Sequence, residues 1–212
     1  MNLDFLKHIS IPIGLPLFLI VGSLIARSRH KHTSSQNKTM EDFLERELLA
    51  NSTRKQDISH LDYLVLDLSL LPMGEVNDAA LNGFEDTLTE LSGKKILNLT
   101  GQSNTDLKMQ YGPANLDTLM ECDDNFHTLS QTLLQYAKRE DEMGYTGKAI
   151  TILEYALSLK IDVSQIYTLL AKLYEQEGTP EKIDSIYTAL DTMDESFRSY
   201  VLKHLESSHA EE

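Results

Sequence analysis

Residues 167–190 read YTLLAKLYEQEGTPEKIDSIYTAL, from Tyr167 to Leu190. Tyr167, Leu170, Ala171 and Tyr174 recur at three- and four-residue steps, the spacing of one helix face. Gly178 breaks that pattern, and Thr179-Pro180 supplies an N-cap residue and a first-turn proline for a second helix. Ile183, Tyr187 and Leu190 then restart the apolar face. The stretch predicts two helices joined by a short turn.

The preceding chain repeats this arrangement at a period of 34 residues. Placing Gly144 over Gly178 aligns Ala137 with Ala171, Lys138 with Lys172, Lys148 with Lys182 and Ile152 with Ile186. Apolar types also correspond: Leu133 with Tyr167, Tyr136 with Leu170, Ala149 with Ile183, Leu153 with Tyr187, and Ala156 with Leu190. Small residues stand where paired helices approach closely, and large ones fill the space between successive pairs. One pair cannot cover its own apolar face, so neighbours must stack.

This pattern resembles a tetratricopeptide (TPR) helical-repeat array. Tyr167, Leu170, Ala171 and Tyr174 match the first-helix packing positions of that motif, Gly178 its turn, and Ile183, Tyr187 and Leu190 its second helix. The first unit departs from the motif: Glu140 stands where a large aromatic is usual, and Gly147 adds a second glycine near the turn. The resemblance implies an α-solenoid of antiparallel helix pairs over 126–212. Its concave surface is made largely by first helices and binds a protein partner. On that register Gln131, Leu134, Lys138 and Asp141 of the first unit face the surface, with Gln165, Thr168, Lys172 and Glu175 of the second. Lys138 and Lys172 stack there in an otherwise acidic chain and suit a partner's carboxylate. Phe197, Tyr200, Val201, His204 and Leu205 predict one more amphipathic helix. Its other face carries Arg198, Lys203 and Glu206, as a capping helix requires.

Charge divides the remainder. The 212-residue chain has a net charge of −14. Residues 1–32 hold Lys7, Arg27, Arg29 and Lys31 against Asp4, a net +3, so the rest carries −17. This acidic balance argues against a general nucleic-acid binder. Residues 9–26 are an uncharged run of 18 residues, spanning about 27 Å as a helix, close to a bilayer core. The basic cluster 27–32 follows at once and marks a cytoplasmic side. The expected topology is a single-pass cell-membrane protein, with residues 1–8 outside and the body in the cytoplasm. The competing reading is a cleaved signal peptide. Its n-region is poorly charged, and the basic cluster beyond Val21-Gly22-Ser23 would resist export.

Residues 27–56 read as basic stop, polar tether and juxtamembrane helix. Thr39 is the expected N-cap, and Met40, Phe43, Leu44, Leu48 and Leu49 follow at roughly helical spacing. Residues 57–125 read as a mixed middle region. Tyr63–Leu68 and Lys95–Leu99 have the composition of short strands. Asp78 to Leu91 predicts a helix stopped near Gly93, and Asn115 to Asp123 a further short helix.

Gly101 to Asp106, between a strand-like run and a helix start, offers a weak phosphate cradle. Ser103 or Asn104 as an N-cap explains the same letters. Cys122, the only cysteine, is flanked by Glu121, Asp123 and Asp124, which oppose thiolate formation. One cysteine excludes an intrachain disulfide and any multi-cysteine zinc site. The seven histidines are scattered without a metal-ligand spacing. No catalytic, cofactor-binding or metal-ligating set emerges.

The arrangement as a whole also resembles a group of bacterial single-pass membrane proteins of undefined activity. The resemblance rests on the anchor, Asp42-Phe43 with Glu45 and Glu47, Asp57-Ile58-Ser59 to Tyr63, Asn98 to Lys108, and the helical C-terminal region. The expected function is that of a membrane-anchored, non-catalytic TPR-like adaptor or scaffold for a protein partner. The alternatives are a nucleotide- or ligand-binding module in 57–125, or a structural subunit of a membrane or envelope complex.

Overall fold

The computed structural model describes residues 40–209, so the expected anchor, basic cluster and Thr39 cap lie outside the described residues. The described chain is mostly helical and contains no strand. Its helices are α1 over 40–52, α2 Ala79–Ser92, α3 Asn104–Tyr111, α4 Leu116–Glu142, α5 Thr146–Ser158, α6 Ser164–Gln176, α7 Ile183–Leu190 and α8 Glu195–His209. None of these is long and apolar enough to cross a membrane. The chain divides into two compact units.

The smaller unit joins the residues up to Gln56 with Ser103–Pro113. Polar contacts tie α1 to α3. Arg46 pairs with Asp106 at 2.5 Å, Lys108 with Glu47, and the Thr105 hydroxyl donates to Glu47 at 2.7 Å. The Ser103 hydroxyl accepts from the Asp106 N–H, while the Asp106 carboxylate accepts from the Ser103 N–H, a reciprocal capping box. At the far end of α3 the Gln56 N–H donates to the Tyr111 carbonyl at 3.0 Å. Gly112 has φ +84°, and a Cβ there would stand 2.6 Å from the Arg54 carbonyl oxygen. Only glycine fits both restrictions.

The larger unit comprises Asp57–Gln102 and the chain from Ala114 onward. Here α4 packs against α2 and α5, α5 against α6, and α6 against α7 and α8. Leu81, Leu88 and Leu91 of α2 join Phe126, Leu129 and Leu133 of α4 in one apolar core. That core runs on through Leu153, Tyr167 and Leu170 to Val201 and Leu205. Asp78 caps α2, accepting from the Ala80 and Leu81 N–H groups at 3.0 and 3.1 Å. The helix expected from Asp78 onward is therefore present, stopping at Gly93.

Four sequence expectations need correction. The helix expected over 115–123 and the first repeat helix are one continuous α4, which runs through position 126. Tyr63–Leu68 and Lys95–Leu99 lie side by side, with the Leu64 N–H donating to the Ile96 carbonyl at 2.9 Å, but they form no ladder. Three of their other amides are claimed by helices. Leu97 donates to the Cys122 carbonyl, Leu99 to Asp123 Oδ1 and Asp67 to the Tyr155 hydroxyl. Ile96, Leu97 and Leu99 are all buried, so burial does not alternate as a half-exposed strand demands.

The third correction concerns Thr179, whose side chain caps no helix. Its hydroxyl donates back to the Tyr174 carbonyl at 3.3 Å, and a 3₁₀ turn, Pro180–Lys182, precedes α7. The fourth concerns Tyr187, expected in the packing but 40% exposed, whereas its counterpart Leu153 is fully buried. In the expected capping helix α8, Val201 and Leu205 are buried and the Phe197 ring meets Tyr167 edge-on at 5.4 Å. Tyr200 points largely to solvent.

Candidate functional site

The sequence repeat is carried into the backbone. Gly144 and Gly178 both have positive φ, +84° and +70°, a conformation that ends a helix cheaply only for glycine. Four backbone hydrogen bonds around them correspond. The Tyr145 N–H donates to the Glu140 carbonyl, and the Thr179 N–H to the Tyr174 carbonyl. Gly144 donates to Asp141, and Gly178 to Glu175. Met143 donates to Arg139, and Glu177 to Leu173. Lys148 donates to Tyr145, and Lys182 to Thr179. Ala137 and Ala171, Ile152 and Ile186, and Ala156 and Leu190 are buried in both units.

The expected partner-facing residues separate into groups. Gln131, Gln165, Lys172 and Glu175 are exposed, while Lys138, Asp141 and Thr168 are half-buried. Leu134 is only 2% exposed and belongs to the core, so it is corrected from a surface contact to a packing residue. Lys138 Nζ donates to Gln165 Oε1 at 3.1 Å, a side-chain link between the first helices of the two units. Asp141 accepts from the Thr146 hydroxyl at 3.0 Å and braces the turn into α5. Thr168 turns its hydroxyl back to the carbonyls of Ser164 and Gln165. Lys172 and Glu175 line an open groove of about 740 Å³ with Gln176, Gly178 and Pro180. That groove at the end of α6 presents an ammonium, a carboxylate and an amide beside a bare turn.

A second polar constellation was not legible as such in the sequence. It lies where α2 and the segment before it meet the turn between α4 and α5. Tyr136, fully buried, donates its hydroxyl to Glu85 Oε1 at 2.9 Å and sits 3.2 Å from the Pro72 carbonyl oxygen. Burial, and then the bond to Glu85, push the Tyr136 phenol well above its ordinary value. The Gly74 N–H donates to the same Glu85 oxygen. Arg139 Nη2 pairs with Asp78 Oδ2 at 2.8 Å and holds that carboxyl down to about 2. Lys148 Nζ pairs with Glu75 Oε2 at 2.9 Å.

Among these groups sits Glu140. It is 1% exposed, and its Oε2 has no hydrogen-bond partner. Burial raises its pKa, the nearby Lys148 opposes the rise, and Glu85, Glu75 and Asp78 add to it. The one sequence signal was negative, a carboxylate at a position where the second unit has Tyr174.

The Gly101–Asp106 stretch adopts the N-cap reading. The first turn of α3 already holds its own carboxylate, Asp106, which accepts from Ser103 and pairs with Arg46. Cys122 is buried, and burial pushes its thiol up, the direction expected of an inert cysteine. A hollow of about 280 Å³ beside it is lined by Gly93, Lys94, Lys95, Thr118, Glu121 and Asn125. No cluster of His, Cys, Asp and Glu among the described residues is arranged to hold a metal ion. Comparison of the chain with protein-family models, curated proteins and solved structures finds no match.

Proposed function

We propose that this chain is a non-catalytic, membrane-anchored adaptor whose C-terminal helices form a TPR-like stack that holds a protein partner at the cytoplasmic membrane face. The observation that carries the reading is the turn at Gly144, four of whose backbone hydrogen bonds recur at Gly178. A sequence period that is also a backbone period is the mark of a stacked repeat architecture. Such stacks expose first-helix residues on one surface. Lys172 and Glu175 lie open beside the α6 groove, with Lys138 one helix away. A partner segment bearing a carboxylate is the natural complement of the lysines.

The anchor rests on the sequence alone, on the uncharged run 9–26 followed by the basic cluster. The acidic body, net −17, keeps its distance from anionic lipid and suits a soluble partner surface.

Two experiments test the proposal. Crosslinking in native membranes with the full chain, followed by mass spectrometry, should capture a protein joined to Lys138 or Lys172. The double variant Lys138→Glu, Lys172→Glu should lose that partner, and undiminished capture would remove the lysines from the proposal. Alkaline carbonate extraction should leave the chain in the membrane pellet, and release into the supernatant would overturn the anchor.

A further inference from the structure

Segment 72–78 is tied to the helices by four polar contacts. The Pro72 carbonyl meets the Tyr136 hydroxyl, the Gly74 N–H donates to Glu85, Glu75 pairs with Lys148, and Asp78 pairs with Arg139. Of these, the Glu75–Lys148 pair is the most exposed on its acidic side, with Glu75 at 56%. Lys148 therefore holds Glu75 in a direct but partly exposed pair, where an ion pair contributes little by itself. The same ammonium also acts electrostatically on Glu140, the buried carboxyl with a free oxygen.

The groups facing Glu140 come from every element around it. Tyr136 lies on α4, Lys148 on α5, Glu85 on α2, and Glu75 and Asp78 on the segment itself. Arg139 is bound to Asp78 and also approaches Glu142. Lys148 is thus the cation that eases the ionisation of Glu140, and it is already engaged by Glu75. A buried carboxylate without a counter-charge is costly, so losing the Glu140 proton creates a demand for that ammonium.

We infer that Glu75 and Glu140 compete for Lys148, forming a proton-controlled clasp on segment 72–78. With Glu140 protonated, Lys148 holds Glu75 and the clasp is closed. With Glu140 ionised, the ammonium swings inward to the buried carboxylate, Glu75 returns to solvent, and the segment loses one of its four ties. The rearrangement moves one proton to solvent and one side chain between two carboxyls. The chemistry needs nothing else.

The second unit lacks the device. Tyr174 occupies the position of Glu140, and Lys182 lies over its ring at 5.5 Å while approaching Glu154 at 3.5 Å. A phenol pushed up to about 12 by burial does not ionise in the working range. Only the first unit couples its turn to pH.

The test is hydrogen exchange on the full chain, following amides of segment 72–78 from acid to neutral pH and correcting for intrinsic exchange rates. Wild-type protection should fall several-fold as pH rises above the ordinary glutamate range. Glu140→Gln, which cannot ionise, should show no fall over the same rise in pH. Glu75→Gln should be poorly protected throughout, with no pH step. A flat wild-type profile, or a step that persists in Glu140→Gln, would overturn the clasp. Should Glu140→Gln lose helical circular dichroism, Lys148→Met serves instead. It should be loose at both ends of the range, and a surviving step there is equally fatal.

Discussion

Glu140 and Tyr174 occupy the same place in two copies of one turn. Each lends its carbonyl to the amide that follows the turn glycine, from Tyr145 at 2.9 Å and from Thr179 at 2.8 Å. Both are buried, at 1% exposure each. The tyrosine satisfies its hydroxyl on Glu154 at 2.8 Å, whereas the glutamate leaves Oε2 unpartnered. One backbone position thus carries a hydrogen-bonded aromatic in one unit and an unsatisfied carboxyl in the other.

That contrast sets the pH dependence. Glu140's pKa is raised on folding, so the folded state holds its proton where the unfolded chain has released it. Stability should fall as pH climbs from the ordinary glutamate value to the higher folded one, and then level off. Glu140→Leu should remove this slope and raise stability at neutral pH by about 1 kcal/mol or more, because an unsatisfied buried group is deleted. Urea melts at a series of pH values read both effects. A wild-type curve rising through that window would contradict the assignment.

Asp78 acts in the opposite sense. Its carboxyl is held at about 2, against an ordinary 3.8, first by Arg139 and then by the N–H of Leu81. The stability it contributes is present above pH 3.8 and should be lost as pH falls towards 2. Asp78→Asn should flatten the acid limb of the stability curve and fray the start of α2. Amide exchange of Ala80 and Leu81 monitors that fraying.

The two turn glycines should be equally intolerant of a side chain. Gly144→Ala and Gly178→Ala each place a Cβ in the left-handed region, at a cost of about 1 kcal/mol. Space does not decide the outcome, since a Cβ at either site meets nothing within 4 Å. Equal losses by thermal melting would mark the turns as equivalent. A loss at one only would break the equivalence.

Gly112 is a different case, because conformation and space both exclude a side chain. Gly112→Ala drives a Cβ into the backbone at Arg54 and Lys55, within 2.6–2.9 Å. The damage should fall on the α1–α3 unit. Limited proteolysis should cut between 52 and 56 sooner than in the wild type, while the core around Leu133 and Tyr167 keeps its amide protection.

Within the larger unit, Tyr167 donates its buried hydroxyl to the Ile161 carbonyl at 3.0 Å and so fixes the loop between α5 and α6. Tyr167→Phe should cost about 1–2 kcal/mol, by stranding that carbonyl rather than by losing volume. Denaturant unfolding with an unchanged slope would identify a pure stability effect.

The helical C-terminal region was legible because its determinants are local. Gly144 and Gly178 mark turns by conformational need, and three- and four-residue apolar spacing marks the buried faces. The start of α2 at Asp78 and an N-cap at Ser103 or Asn104 were readable for the same reason, since caps act within four residues. Tyr63–Leu68 and Lys95–Leu99 misled because an apolar run reports burial, not what receives its amides. Asp123 and Tyr155, 24 and 88 residues away from the amides they bind, turned both runs into extended segments lodged on helices. Leu134 was assigned to the surface by repeat register, but α4 is covered by both α2 and α5.

By itself, then, the sequence determined the helices, their 34-residue period and the charge division between the first 32 residues and the acidic body. Each of these depends on neighbours along the chain or on composition. Tertiary structure alone decided that Glu140 is buried with a free oxygen and that Lys148, paired with Glu75, also acts electrostatically on it. Burial and charge pairing depend on which distant segments pack together, and a one-dimensional pattern carries no record of that distance.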